Sequence, residues 1–334
     1  MSLSKEEIQN LSHLLLSKED NNTALAFELI QDKQTAQALL TELFAVYKLA
    51  EEESLQQTAQ EKIQAVASPA TLKMLNSGKK LSRSGNFDPN EKTIAKNINH
   101  YVEGSKGELQ GVKLALALVK KYGHGYEYLF NNWSSAELVS FFQEFKEGKV
   151  FRFNKKGVGK LPKELFMIEG LEEVEEVDVS GNKLTSLPAS IAKFPNLKKL
   201  IVSSNNIKSI NKAILKLKQL TYLDINDNKF KEFPSILTQC PALVELRALY
   251  SFSYFSREYQ LPKALAELST LRVLHFTEHH HHQEFMQTIP QFTQLEELVL
   301  SHSDKIEKAL PAIQQALPNC QVNLSNQLFS LNYN

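Results

Sequence analysis

The densest group of side chains able to do chemistry is a run of histidines and glutamates in the last third of the chain. It comprises His275, Glu278, the four consecutive histidines at 279–282, and Glu284. Neutral imidazole and carboxylate are good ligands for zinc or nickel, so such a run could bind a metal ion. A functional metal site also needs ligands held in a fixed geometry, which a bare run does not provide. We therefore predict no metal site; the candidate ligands, if one exists, are His279, His280, His281 and His282.

Motifs of the common catalytic and nucleotide-binding sites are absent from the sequence. It contains no G-x-S-x-G nucleophile elbow, no Walker phosphate loop and no dinucleotide-binding glycine pattern. Neither of its two cysteines, Cys240 and Cys320, has a histidine close to it in the sequence. The sequence thus predicts a protein that is not an enzyme and has no cofactor. The alternative is a metal-dependent or other catalytic protein centred on the cluster from His275 to His282.

Most of the second half of the chain repeats every 23 residues, and these repeats must position any surface site. Val174, Leu197 and Leu220 begin three copies of the pattern L-x-x-L-x-L-x-x-N-x-L, in which valine, isoleucine or phenylalanine replaces some leucines. The alternation of apolar and variable residues predicts a short strand whose apolar side chains point inward. The asparagine amide should satisfy buried backbone groups of the adjoining turns, so we expect a ladder of stacked amides from Asn182, Asn205 and Asn228.

This pattern closely resembles the leucine-rich repeat family in its LPxxI form, with Leu187-Pro188 and Phe233-Pro234 at the matching positions. The resemblance implies an α/β fold, a solenoid in which parallel strands form a concave arc that presents a binding surface. Weaker copies on both sides extend the repeats. We predict a leucine-rich repeat domain over residues 147–334, with about seven repeats and a C-terminal cap.

The repeat geometry also selects the side chains that should face a partner on the concave side. They are Tyr222, Asp224, Asn226, Glu245, Arg247, Leu249, Tyr250 and His275. Neighbouring strands lie about 4.8 Å apart, so Asp224, Arg247 and His275 should form a row. The alternative is a solvated face on which Asp224 and Arg247 only pair with each other. Exposed aromatic and apolar side chains such as Tyr222, Leu249 and Tyr250 favour a binding surface.

An aromatic insertion interrupts the strict spacing after the fourth copy. Leu243 and Leu271 begin successive repeats 28 residues apart, five more than the period. We predict that residues 250–259 form the main recognition element, with Tyr250, Tyr254 and Tyr259 pointing outward, because aromatic side chains contribute strongly to interfaces. The alternative is that Phe252 and Phe255 turn inward and fill the space left where serine replaces the asparagine.

The first part of the chain, residues 1–146, is predicted to be an all-helical domain. Ser4 and Glu7 form a capping box ahead of a helical pattern of apolar residues. Residues 23–30 and 112–119 share an apolar pattern, which resembles an alpha-solenoid of the HEAT or armadillo type; an unrelated compact bundle is an equal alternative. Because the open end of a repeat stack exposes its core, we expect the helix at 134–146 to cover it.

Charge and cysteine content restrict the cellular compartment and the class of partner that the sequence predicts. Lys and Arg together number 38, as do Asp and Glu, and a neutral chain argues against binding to nucleic acid or to an anionic membrane. No basic leader, membrane-length apolar run or disulfide framework is visible. We therefore expect a cytoplasmic monomer that binds a protein partner, whose identity the sequence does not give.

Overall fold

The computed structural model describes residues 3–17, 19–79, 81, 91–122, 126–251, 263–277 and 282–325. The chain divides into two compact units, Met1–Ser134 and Ser135–Asn334. The helix that we expected to cover the repeats therefore belongs to the second unit.

The described part of the first unit consists of helices, in agreement with the sequence prediction. They are α1 (Lys5–Leu15), α2 (Asp20–Leu29), α3 (Lys33–Ala38), α4 (Leu40–Leu49), α5 (Glu53–Gln64), α6 (Pro69–Leu75), α7 (Glu91–Gly104), α8 (Gly111–Tyr122) and α9 (Tyr126–Asn132). Both hydrogen bonds of the predicted capping box between Ser4 and Glu7 are present at the start of α1. Leu39 adopts φ −105° and ψ 15° and separates α3 from α4.

Helix α4 forms the centre of this unit and contacts α1, α5 and α8. Its side chains Leu43 and Phe44 have no exposed surface, and the same holds for Glu42, which precedes them in the helix. A fully buried carboxylate is costly unless it is paired. Glu42 Oε1 accepts a hydrogen bond of 2.8 Å from Ser12 Oγ of α1 and lies 2.6 Å from Lys113 Nζ of α8. The pair therefore joins three helices through one carboxylate.

The second unit begins with α10 (Ser135–Gln143) and continues as one sheet of short strands in chain order. The strands are β1 (Lys146–Glu147), β2 (Val150–Arg152), β3 (Glu176–Asp178), β4 (Lys199–Ile201), β5 (Tyr222–Asp224), β6 (Glu245–Ala248), β7 (Val273–Phe276), β8 (Glu297–Ser301) and β9 (Gln321–Ser325). All neighbouring strands are parallel except β1 and β2, which are antiparallel. The predicted fold, a solenoid of parallel strands preceded by helices, is confirmed.

Short return segments lie opposite the strands and complete each repeat. Most of them are 3-10 turns, such as Ala189–Lys193 and Lys212–Lys216. The last repeats use α-helices instead, α11 (His282–Thr288) and α12 (Asp304–Ala316), which the sequence did not predict. Ser303, at the position of the repeat asparagine, accepts a hydrogen bond from the Ile306 N–H and so caps α12. The loss of asparagine therefore coincides with the change to a longer helix.

Inward-pointing side chains from successive strands form the core of the solenoid. The strand register aligns Val177, Leu200, Leu223, Leu246, Leu274 and Leu298, all of them buried. In an isolated repeat, this apolar side chain would be exposed to water on the two sides that neighbouring repeats cover in the stack. Stacking is therefore what removes the apolar surface from water.

The predicted asparagine ladder is present and joins each repeat to the one before it. Asn205 Nδ2 donates to the carbonyl of Val202 in its own repeat at 3.0 Å and to that of Val179 in the preceding repeat at 3.1 Å. Its Oδ1 accepts from the Leu184 N–H at 3.0 Å. Asn182 and Asn228 make the equivalent bonds. One amide thus satisfies three buried backbone groups.

Ser251 continues the ladder by a different route. Its side chain has 0% exposure, and its Oγ donates to the carbonyl of Ile225 at 2.7 Å. A hydroxyl cannot also replace the amide oxygen at its usual position, and here the backbone carbonyl of Ser251 accepts from the Phe230 N–H at 3.0 Å. The main chain therefore supplies the acceptor that the side chain lacks, which explains how the stack passes a repeat without asparagine.

Replacing Asn205 with leucine is expected to destabilise the second unit by about 1–3 kcal/mol, because the Leu184 N–H would stay buried without a partner. The Val179 and Val202 carbonyls would each lose one of their two amide donors and keep the bond from Asn182 or Asn228. Equilibrium urea unfolding of the full chain measures the effect. Asn206→Leu, the next residue along the same turn, is the matched control and should change stability little. Equal midpoints for the Asn205 variant and wild type would contradict the role of the ladder.

Candidate binding face

The strand register assembles the central residues of the predicted binding face. Asp224 of β5, Arg247 of β6 and His275 of β7 are direct neighbours across three strands. Tyr222 and Glu245 form a parallel row beside them. The predicted row is therefore present in the backbone, and its chemistry depends on how the side chains are arranged.

Tyr222 lies at the centre of this face with a cation from each neighbouring strand against its ring. Lys199 Nζ is 5.1 Å and Arg247 Cζ is 5.3 Å from the ring centre, within the range of cation–π interactions. The side chain is half-buried, and burial together with the nearby Asp224 carboxylate raises the pKa of the hydroxyl to about 12. Tyr222 is thus a neutral hydrogen-bonding group at physiological pH.

Ion pairs hold both cations in place. Arg247 Nε lies 2.6 Å from Glu245 Oε1, and Lys199 Nζ lies 3.3 Å from Glu176 Oε2. The other oxygen of Glu176 is 3.3 Å from a guanidinium nitrogen of Arg152. Such partly exposed pairs contribute little to stability. Their effect here is to fix the orientation of Lys199 and Arg247 beside Tyr222.

Asp224 differs from its predicted role as an exposed contact. Its exposure is only 8%, because it lies at the end of β5 with its Oδ1 accepting a hydrogen bond of 2.9 Å from the Asn226 N–H. Burial raises the pKa of this carboxyl, and the Asn226 N–H and the charge of Arg247 offset part of the rise. The ion pair between Asp224 and Arg247, which belonged to the alternative of a merely solvated face, is not formed, because Arg247 pairs with Glu245 instead.

His275 follows Arg247 in the row and is also half-buried. Burial is the largest effect and lowers the pKa of the imidazole, and the positive charge of Arg247 lowers this pKa further. The carboxylates of Glu297 and Glu245 act in the opposite direction. The imidazole is therefore neutral at physiological pH and offers one donor and one acceptor. This chemistry suits recognition of polar groups.

Leu249 was predicted as an exposed apolar contact, and this is wrong. Its exposure is 3%. Its N–H donates to Asn226 Oδ1 at 2.7 Å, and the following N–H, of Tyr250, donates to Thr277 Oγ1 at 2.8 Å. The backbone is thus held against both neighbouring repeats, and the leucine side chain is buried. The side-chain oxygen of Asn226 is therefore engaged in a hydrogen bond within the fold.

Tyr250 occupies a strained backbone position at the start of the insertion. Its φ is +53°, the left-handed region that bulky side chains rarely adopt. The residues one and two repeats earlier, Asp227 and Ser204, have φ values of +50° and +54°, and Gly181 follows the same series at +65°. The repeat geometry therefore imposes this conformation whatever the residue. A half-buried tyrosine at this position is held there at a cost in backbone strain.

The prediction missed Lys199 and Glu176. Both lie on the same row as Tyr222, one and two repeats earlier. The sequence held the signal, because Lys199 is 23 residues before Tyr222 and Glu176 is 23 residues before Lys199. Extending the row toward the N-terminus by the repeat period would have found them.

Several predicted residues lie outside the described part of the structure. These are Tyr254 and Tyr259 of the insertion, with Phe252 and Phe255, and His279, His280 and His281 of the histidine run. His282 is the first residue of α11. Within the described ranges no group of three or more His, Cys, Asp or Glu side chains is placed to hold a metal ion. Cys240 is buried, which raises its pKa to about 11 and makes it a poor nucleophile.

None of the described helices combines the length and the apolar character needed to cross a bilayer.

Known proteins similar to this chain contain leucine-rich repeats. The family model for leucine rich repeats matches residues 172–230. Similar solved structures include a leucine-rich repeat protein of Leptospira interrogans, at 20% identity and a TM-score of 0.29, covering 52% of this chain and 59% of that chain. Human 5T4, or trophoblast glycoprotein, matches at 18% identity and a TM-score of 0.40, covering 58% of this chain and 78% of that chain.

The plant peptide hormone receptor RGFR1 in complex with RGF2 matches at 21% identity and a TM-score of 0.36, covering 54% of this chain and 34% of that chain. This chain thus spans less than two thirds of the Leptospira protein and of the plant receptor. A search of curated proteins found no match. From the family match over residues 172–230 and the parallel stack of strands joined by asparagine ladders, the repeats of the second unit are leucine-rich repeats.

Proposed function

We propose that this protein is a non-enzymatic, cytoplasmic recognition module that binds a partner protein through the concave face of its leucine-rich repeats. The proposed site is centred on Tyr222 and Arg247, with His275 and Glu245 beside them. The insertion at 250–259, including Tyr254 and Tyr259, forms its second part. The protein acts as a monomer and uses neither a cofactor nor a metal.

One observation carries the proposal: a tyrosine and an arginine are stacked on the concave face and held there by neighbouring ion pairs. Tyrosine and arginine are enriched among the residues that dominate binding energy. A side chain that is already ordered loses less conformational entropy when a partner binds. The combination favours recognition over a face that is merely solvated.

The buried Asp224 and the strained Tyr250 support the same proposal. Burial makes the charged form of Asp224 unfavourable, and the backbone of Tyr250 is in a conformation that glycine adopts at less cost. Both features reduce stability, and both lie on or beside the same face. Residues that lower stability concentrate at functional sites, because selection there is for something other than stability.

The test begins with capture of partners from a lysate by wild type and by Tyr222→Ala/Arg247→Ala, followed by titration of any captured partner that the variant loses. Ser235→Ala/Gln239→Ala, two exposed positions on a return segment, is the matched control. The concave variant should bind at least about tenfold more weakly and the control should bind as wild type does. Equal affinity of all three proteins would remove the concave face as the site.

Tyr250→Gly separates recognition from stability. Backbone strain of about 1–2 kcal/mol is relieved in this variant and offsets the loss of the half-buried ring. The free energy of unfolding should therefore stay at or above the wild-type value while the affinity for the partner falls. A variant that binds normally would assign Tyr250 to the fold alone, and Tyr254→Ala/Tyr259→Ala then tests the rest of the insertion.

A further inference from the structure

The charges of the repeats are segregated along the chain. Residues 179–223 contain eight lysines and no acidic residue. With 38 acidic residues in 334, a stretch of 45 residues would on average contain about five. The preceding residues, 164–178, contain seven acidic residues and no lysine or arginine. The zero net charge of the chain therefore hides a basic region.

Two of the eight lysines face the concave side, where Lys198 and Lys199 pair with Glu175 and Glu176. A second group of exposed lysines lies on or beside the return segments. Lys193, Lys212 and Lys216 belong to 3-10 turns, and Lys208 and Lys218 flank the second of these turns in the chain. We call this group the lysine surface; it consists of Lys193, Lys208, Lys212, Lys216 and Lys218.

The backbone places three of these lysines, Lys193, Lys212 and Lys216, on turns of adjacent repeats. The 3-10 turns Ala189–Lys193 and Lys212–Lys216 contact each other in adjacent repeats. Asn211 fixes the second turn, with Oδ1 accepting from the Ala213 N–H at 2.8 Å and Nδ2 donating to the Leu187 carbonyl at 2.7 Å. The Lys208 N–H donates to the Thr185 carbonyl of the preceding repeat at 3.3 Å. The lysines are thus long side chains on a rigid support.

The fold does not require lysine at these positions. Where this repeat has Lys208, Lys212 and Lys218, the preceding repeat has threonine, alanine and proline. In the following repeat Lys212, Lys216 and Lys218 are replaced by serine, glutamine and proline. The repeats therefore accept neutral residues here. The concentration of lysine in one repeat adds like-charge repulsion without any gain in core packing.

These charges are also not neutralised within the chain. Among the described residues, no carboxylate lies within ion-pair distance of Lys208, Lys212, Lys216 or Lys218. Lys193 Nζ donates to the Phe166 carbonyl at 3.3 Å, which leaves its charge uncompensated. A cluster of uncompensated cations raises the local concentration of anionic groups and speeds their association.

We propose that the lysine surface binds an acidic segment of a partner protein, at a site separate from the concave face. Residues 179–221 contain no arginine and no exposed aromatic side chain, so the surface lacks the forked donors and stacking platforms typical of nucleic-acid sites. Lysine ammonium groups interact as mobile point charges, which suits the carboxylates of a flexible Asp- and Glu-rich segment. The interaction is electrostatic and therefore weakens as salt is added.

The test uses the full chain and a fluorescently labelled poly-glutamate peptide, with binding followed by anisotropy over a range of salt concentrations. Lys208→Glu/Lys212→Glu/Lys216→Glu should weaken binding about tenfold or more at low salt. Lys263→Glu/Lys305→Glu/Lys308→Glu, with the same change in net charge at exposed positions of the same unit, is the matched control and should bind nearly as wild type does. Circular dichroism should show all three proteins folded alike, because the altered side chains are exposed.

Three results would overturn the proposal. Equal losses in the two triple variants would show a response to net charge and not to this surface. Binding of duplex DNA or of phosphatidylserine vesicles in preference to poly-glutamate would assign the surface to another class of partner. Loss of poly-glutamate binding in Tyr222→Ala/Arg247→Ala would place the acidic ligand on the concave face. Retention in that variant keeps this proposal independent of the one for the concave face.

Discussion

Replacing Lys113 with alanine is expected to destabilise the helical unit by about 3–5 kcal/mol. Lys113 Nζ lies 2.6 Å from Glu42 Oε1, and the glutamate side chain has 0% exposure. The second oxygen, Oε2, is buried without a hydrogen-bond partner. Removing the lysine would leave Ser12 Oγ as the remaining described hydrogen-bond donor to a buried negative charge. An uncompensated buried charge is among the few single defects that cost this much.

The measurement is urea unfolding of the full chain, followed by the far-ultraviolet signal of the helices. Lys73→Ala, an exposed lysine on α6, is the control and should change stability by less than about 0.5 kcal/mol. Adding Glu42→Gln to the Lys113 variant should recover part of the loss, because an amide is less costly to bury than a charge. A Lys113 variant as stable as the Lys73 variant would show that water or another cation replaces the lysine.

The Glu42–Lys113 pair illustrates what the sequence could not predict. The two residues are 71 positions apart, and no local pattern connects α4 with α8. Periodicity reports which face of a helix is apolar, but α4 is buried on nearly all sides. A charged residue inside such a helix indicates a buried partner, yet it does not identify that partner. Only the tertiary contacts between helices do so.

The repeats were more predictable because each position has a neighbour at a fixed distance in the sequence. The parallel strands, the asparagine ladder and the neighbouring positions of Asp224 and Arg247 follow from a period of 23 residues. His275 joins the row 28 residues after Arg247, because the next repeat begins five residues late. The errors concern positions that the strand pattern predicts to be exposed but that are buried in the structure. Leu249 and Asp224 lie on the concave side but are covered by neighbouring turns. Side-chain exposure depends on these turns, which the strand pattern does not describe.

The sequence also could not predict which carboxylate pairs with Arg247. Asp224 and Arg247 are direct neighbours across two strands, and a pair between them was the alternative to a binding surface. The geometry instead pairs Arg247 with Glu245 on its own strand, two residues away. A buried carboxylate that accepts from a backbone N–H has little need of the cation, which leaves the guanidinium able to lie against Tyr222.

Phe142→Ala in α10 is the second change expected to cost about 3–5 kcal/mol, here in the repeat unit. The Phe142 side chain is fully buried, and its ring centre lies 5.3 Å from that of Phe153 at the start of the first repeat. Phe145 contacts the same ring at 4.9 Å. Helix α10 and the antiparallel strand β1 thus cover the end of the stack, which would otherwise expose its core. Leu215→Ala, a half-buried position on a return segment, is the control and should cost clearly less.

Because each repeat contacts only its neighbours, the damage should begin at the covered end and decrease along the stack. In the Phe142 variant, hydrogen exchange should accelerate first at the Phe153 and Lys155 N–H groups, which bond to the carbonyls of Asp178 and Ser180. The N–H groups of Val202 and Ile225, in the central repeats, should keep their protection longer. A fragment beginning at residue 148 removes the whole cap and is expected to be molten or insoluble. A folded, monomeric 148–334 fragment with protected Phe153 and Lys155 amides would show that the first repeat closes the stack without α10.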